Sequence, residues 1–310
     1  MKRVWSASID GIARWGVGSG VMSCSLPLSN RRLDATDFIR NLLPDNEHLR
    51  AAVGIVHGVS GENRFGLIGN IGLECAGALR IGGEAARTDD HGALRPLSEE
   101  DDAELIRALP RRPLGAAADV RASLGGARSK FLLTRTSDGW APPLMGAAST
   151  HILKPEPVDM MHGYAANEGF CMDLARRCGL TTAASSVRSF RGWDTYIVER
   201  YDRYRDDAGT IRRLHQEDFC QAIGRSGVNK YERVGERRLR EIATVVRRWA
   251  SNPDDLARLL RHVVFHAAIG NTDAHDKNFA LTHAPPMPPM QVSASLRCTT
   301  RRAPRGRHRP

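Results

Sequence analysis

An apolar stripe at helical spacing, Leu256, Leu259, Leu260, Val263 and Val264, runs straight into Gly270-Asn271-Thr272-Asp273-Ala274-His275-Asp276-Lys277-Asn278. No other junction constrains the fold as much. A glycine past the last periodic residue ends a helix, and the polar run after it must be satisfied by loop backbone or by a ligand. Upstream, strand-like sequence occurs around Arg121 to Thr134, at His151 to Lys154 and at Thr195 to Glu199. A helical pattern from Asn167 to Ala175, closing near Gly179, separates the last two. The stretch from Gln216 to Gly270 reads as mostly helical, so a β-rich lobe precedes a helical one.

A further unit lies in front of both. Phe38, Ile39, Leu42 and Leu43 share a helical face that Asp34 or Thr36 can cap. A second apolar segment runs from Phe65 to Leu79, Gly-rich sequence follows, and Glu100 to Leu109 is helical in pattern. These shifts place a boundary near residue 115, a second near 203 and a third at 283, after which the Pro- and Arg-rich residues 284–310 show neither period and are expected to be disordered.

With 310 residues and 41% hydrophobic content the chain can bury a core. It contains no apolar run long enough for a membrane span, and its start is unlike a secretion signal, so a cytoplasmic protein with no membrane association is expected. The six cysteines lack the close pairs of a metal site or disulfide scaffold and read as reduced thiols. The formal charge of +10 suggests a nucleic-acid partner, yet six arginines and no acid lie in residues 279–310. The body is only mildly basic.

Asp273 followed five residues later by Asn278 matches the spacing of a kinase catalytic loop. A carboxylate there can orient or accept the proton of an attacking hydroxyl, and an amide oxygen can hold Mg²⁺ on a triphosphate. The same spacing also suits a polar helix-ending loop in which Asp273 caps backbone amides. Order favours the first reading. A glycine turn, Ser123-Leu124-Gly125-Gly126-Ala127, comes first, then Lys154 closing a strand, then Glu168 on a helix to pair with it. Glu199 and Tyr201 end the next strand, where an adenine can be received.

Taken together, Ser25-Leu26-Pro27-Leu28, Cys75-Ala76-Gly77-Ala78-Leu79, the Ser123 turn, Ser149-Thr150-His151-Ile152-Leu153-Lys154-Pro155, Asn167-Glu168, Val198-Glu199-Arg200-Tyr201-Asp202-Arg203, Leu214-His215-Gln216-Glu217-Asp218-Phe219 and Ile269-Gly270-Asn271-Thr272-Asp273-Ala274-His275 resemble the HipA family. The resemblance runs from about residue 22 to residue 283. It implies an α+β, two-lobed protein-kinase-like fold with an N-terminal α+β subdomain. Residues 1–115 would form that subdomain, 116–203 the small lobe and 204–283 the start of the helical lobe. It also implies a serine/threonine kinase toxin of a toxin–antitoxin system that uses ATP and Mg²⁺.

Site residues carry over by position. Asp273 matches the catalytic aspartate, Asn278 the metal-binding asparagine and Lys154, with Glu168, the nucleotide-binding pair. Ser123, Gly125, Gly126 and Ala127 match the phosphate loop, with Ser123 its self-phosphorylated serine, and Glu199 and Tyr201 match the adenine-contacting hinge. Where the family usually shows Ala-Gly-Ala-Gln, this chain has Gly125-Gly126-Ala127-Arg128. Implied partners are a small DNA-binding, HipB-like antitoxin, with DNA reached only through it, and a protein substrate such as glutamyl-tRNA synthetase.

Members of the family continue past Asn278 to a Tyr-Asp whose carboxylate is the second metal ligand, whereas here no acid follows Asp276. The chain therefore reads as a shortened, inactive member whose tail is translated out of frame, and the 256–270 helix should expose apolar residues. A non-catalytic antitoxin-binding decoy, or a nucleic-acid binder working through the Arg-rich tail, is the alternative.

Overall fold

The computed structural model describes residues 20, 22–82, 93–108, 122–123, 125, 130–157, 163–232, 236–250, 252–283 and 290–294. Its first unit packs α1 (Thr36–Leu42), α2 (Glu47–His57) and α3 (Arg64–Ile71) around Phe38, Leu42, Leu43, Val53, Leu67 and Ile68. The ends follow from local chemistry. Asn46 accepts from the backbone N–H groups of His48 and Leu49 to start α2, and Gly58, at φ 64°, ends it in the left-handed conformation. Thr36 is the first residue of α1 rather than its cap, and its N–H is taken by the Asp34 carboxylate at 2.9 Å.

After β1 (Ala93–Leu94) and α4 (Glu99–Ala108) comes the small lobe. Its strands are β2 (Phe131–Thr136), β3 (Gly139–Ala141), β4 (Pro143–Leu144), β5 (His151–Pro155), β6 (Ser185–Phe190) and β7 (Trp193–Glu199). The antiparallel sheet has the order β3-β2-β5-β7-β6, while β4 pairs with β1. Alternation along these strands sends Phe131, Leu133, Leu153 and Ile197 into a core with Ile106 of α4. Leu132 and Ile152 take the opposite face. The expected helix between β5 and β7 is α5 (Tyr164–Arg177), which starts three residues early and closes before Gly179. Gly169 lets α5 lie close to β6, since a β-carbon there would sit 2.9 Å from Val187 Cγ2.

The region from Gln216 to Gly270 is mostly helical, as its pattern suggests, but it opens on a strand. After the ribbon of β8 (Arg203–Arg205) and β9 (Ile211–Arg213), His215–Asp218 form strand β10, followed by α6 (Phe219–Ala222), α7 (Arg238–Trp249) and α8 (Asp255–Ala268). β10 is polar in sequence, and it becomes a strand because β11 (Phe279–His283) supplies a backbone ladder pairing His215 with His283 and Asp218 with Ala280. Part of the stretch read as irregular also pairs: Met290–Ala294 form β12 on the far side of β11. Backbone ladders require no apolar period, which is why neither strand was legible. Phe219, Ile242, Val246, Leu259, Phe279 and Leu281 fill the core of this lobe. Leu260 and Val264, one turn apart on α8, are 55% and 58% exposed, as expected for this helix.

Candidate active site

A cavity of about 460 Å³ lies between the small-lobe sheet, the loop before β11 and the end of α1. Ile152 and Tyr196 form part of its roof, Glu199 and Tyr201 lie at the hinge end, and Ala280 and Thr282 of β11 form part of its floor. Lys154 faces it from β5. The Lys154 ammonium stands 2.5 Å from Glu168 Oε2 on α5 and 5.2 Å from the centre of the Tyr196 ring. The lysine–glutamate pairing anticipated from spacing is therefore present, with Glu168 just 3% exposed.

The hinge is anchored from beneath. Glu74, fully buried after α3, accepts from Arg200, Arg203 and Arg213 and from Ser149, and Asp202 binds Arg200 at 2.7 Å. Burial alone would raise the Glu74 carboxyl, but Arg203, Arg200 and Arg213 override it and hold it below the usual carboxylate range. Arg200 sits between Glu199 and Tyr201, so this network sets the backbone of the hinge. Tyr201 donates its hydroxyl to Gln216 at 2.5 Å.

On the side of the loop before β11, His275, Lys277 and Asn278 line the cavity, whereas Asp273 is not among the lining residues and is tied to them through His275. Asp273 accepts from the Tyr231 hydroxyl at 2.8 Å and lies 3.4 Å from His275 Nε2. Asn278, 2% exposed, donates its side-chain N–H to the Asp273 carbonyl, which fixes the amide plane and ties the two residues together. Asp276 points away from the cleft to Arg238 at 2.7 Å. Burial lifts its carboxyl, with Arg238 opposing.

The phosphate-loop residues divide. Gly125 lines the cavity and its carbonyl accepts from the Lys130 ammonium. Gly126 and Ala127 lie outside the described residues. Ser123 faces inward: its hydroxyl donates to the Leu42 carbonyl at 2.8 Å, and the residue is fully buried. Three further residues that sequence reasoning passed over also line the cavity: Asp45, Lys130 and Asp218. Asp218 caps α6 through the Gln221 N–H, and burial pushes its carboxyl up to about 6. No periodicity marks any of them.

Three lysines facing one cleft, with a hinge at its other end, suit a polyphosphate nucleotide. Among the described residues no group of three or more His, Cys, Asp or Glu side chains is placed to hold a metal ion.

Residues 122–294 match the HipA-like C-terminal domain family, and residues 13–82 match the HipA N-terminal domain family. The chain is 38% identical over 282 residues to the protein Y4mE of Sinorhizobium fredii, an alignment covering 87% of this chain and 67% of that protein. It is 32% identical over 265 residues to the serine/threonine-protein kinase toxin HipA of Shewanella oneidensis, covering 80% of this chain and 59% of the toxin. A solved structure of the Shewanella oneidensis toxin–antitoxin complex of HipA, HipB and operator DNA superposes with a TM-score of 0.74 at 26% identity, covering 94% of this chain and 70% of that one. The chain thus spans between about three fifths and two thirds of the length of these sequence relatives.

Proposed function

The chain belongs to the HipA family of serine/threonine kinases, and from that premise we propose that its cleft binds ATP and directs the γ-phosphate to a protein hydroxyl. The observation that carries the reading is the Lys154–Glu168 pair at 2.5 Å, facing a cavity that Asn278 lines on the catalytic-loop side. The adenine lies against Glu199 and Tyr201, and the phosphates lie by Lys154 and Gly125. Asp273 orients the substrate hydroxyl and takes its proton as the oxygen bonds to γ-phosphorus, while the β–γ bridging P–O bond breaks and ADP leaves. Asn278 would hold Mg²⁺, which neutralises phosphate charge when bound. Ser123 is the self-modification residue of this reading, and its hydroxyl must leave the Leu42 carbonyl to be phosphorylated.

The antitoxin partner is a HipB-like DNA-binding protein, and the substrate class is an aminoacyl-tRNA synthetase such as glutamyl-tRNA synthetase. The test is equilibrium binding of ATP to the purified chain and to Lys154→Met, together with radiolabel transfer by the chain and Asp273→Asn. Weaker binding by Lys154→Met is expected. Equal binding by the two proteins would remove the nucleotide reading.

A further inference from the structure

We propose that Asp45, in the turn that follows α1, is a positioning residue of the nucleotide site: it presents the Lys277 ammonium to an anion beside Gly125, so the N-terminal unit completes the cleft. The inference rests on the nucleotide reading above and adds to it a residue from outside both kinase-like lobes. Lys277 Nζ lies 2.7 Å from Asp45 Oδ1 and 3.2 Å from the Asn41 carbonyl. An ammonium has three N–H donors, and among the described residues the third takes no partner. The ammonium is wedged between two glycines. A β-carbon at Gly125 would lie 3.2 Å from it, and one at Gly227 3.3 Å.

The same short segment also touches Ser123, Gly125 and the turn from Arg225 to Gly227. Leu42 accepts from Ser123, a β-carbon at Gly125 would come within 2.9 Å of the Asn41 carbonyl, and the Asn41 side chain bridges Arg225 O and Gly227 N. Asp45 also accepts from Lys230 at 2.9 Å. Burial would raise its carboxyl, but Lys277 and Lys230 hold it at about 2, so it is ionised in any working buffer. An ionised acceptor between two lysines holds them apart and in place, which a flexible lysine stem cannot do for itself. Two donors of Lys277 are thus anchored, and the third is left for an anion beside Gly125.

The experiment compares binding of mant-labelled β,γ-imido ATP and mant-ADP by the full chain with Mg²⁺ present. Asp45→Asn should lower the preference for the triphosphate about tenfold, the weight of one ion-assisted contact, and Lys277→Met should do the same. Asp45→Glu should restore most of it. Because lone Asp45→Asn leaves two lysines facing each other, the double variant Asp45→Asn/Lys230→Met removes one charge of each sign and serves where the single variant unfolds. It too should lose the preference. A triphosphate preference unchanged in Asp45→Asn or in the double variant would overturn the proposal, as would equal weakening of both nucleotides. Absence of any nucleotide binding by the unaltered chain would instead overturn the kinase reading beneath it.

Discussion

At the scale of single residues the molecule separates side chains that hold the backbone from Glu199 to Tyr201 from side chains of the loop next to the cleft. Glu74 belongs to the first kind. Its carboxylate is fully buried beneath three arginines, so Glu74→Gln leaves Arg213 without its counter-charge and Arg200 and Arg203 sharing Asp202 alone, and should cost about 3–5 kcal/mol in urea unfolding. A loss under about 1 kcal/mol would mean that the arginines find other acceptors. Asp273 belongs to the second kind, with one carboxylate oxygen engaged by Tyr231 near the surface of the loop. Asp273→Asn keeps the shape and can still accept from Tyr231, so it should leave the unfolding midpoint and ATP affinity nearly unchanged while removing phosphate transfer. Calorimetry beside a radiolabel assay checks both halves, and transfer at the unaltered rate would take Asp273 out of the chemistry.

At the scale of elements, helices and strands answered to different signals. α8 and α5 were visible because one face of each is apolar at helical spacing, β7 because Thr195, Tyr196 and Ile197 are buried and three of its residues are β-branched, and β5 through its apolar Ile152-Leu153 pair. β6 was invisible: Ser185-Ser186-Val187-Arg188-Ser189-Phe190 forms an edge strand whose residues are mostly exposed, so no apolar alternation was needed. On α8 the spacing was right, but it told nothing of which apolar residues would be covered. Leu259 is buried, whereas Leu260 and Val264 form an exposed stripe. Leu260→Gln with Val264→Gln should therefore change stability by no more than about 0.5 kcal/mol and reduce self-association, read by light scattering. A large loss of stability would show that the stripe is covered in solution.

At the scale of the whole molecule, acid stability depends on groups that folding buries. Burial, with His262 adding to it, pushes His266 down to about 4, below its usual value near 6.5. Between those values the unfolded chain binds a proton that the folded chain does not, so stability falls as pH drops from about 6.5 to about 4. His266→Gln should flatten that part of the urea-midpoint profile, and an equally steep profile would assign acid sensitivity to other groups. The sequence alone determined the order of parts, the Lys154–Glu168 pairing and the loop joining Asp273 to Asn278, because these are short-range periods and spacings that one element can express. Only the tertiary structure decided that Ser123 turns inward, that His215–Asp218 pair as a strand, and that Asp45 meets Lys277 across 232 positions of chain. Those outcomes depend on how the N-terminal unit packs against the cleft, and such packing leaves no period in the sequence to read.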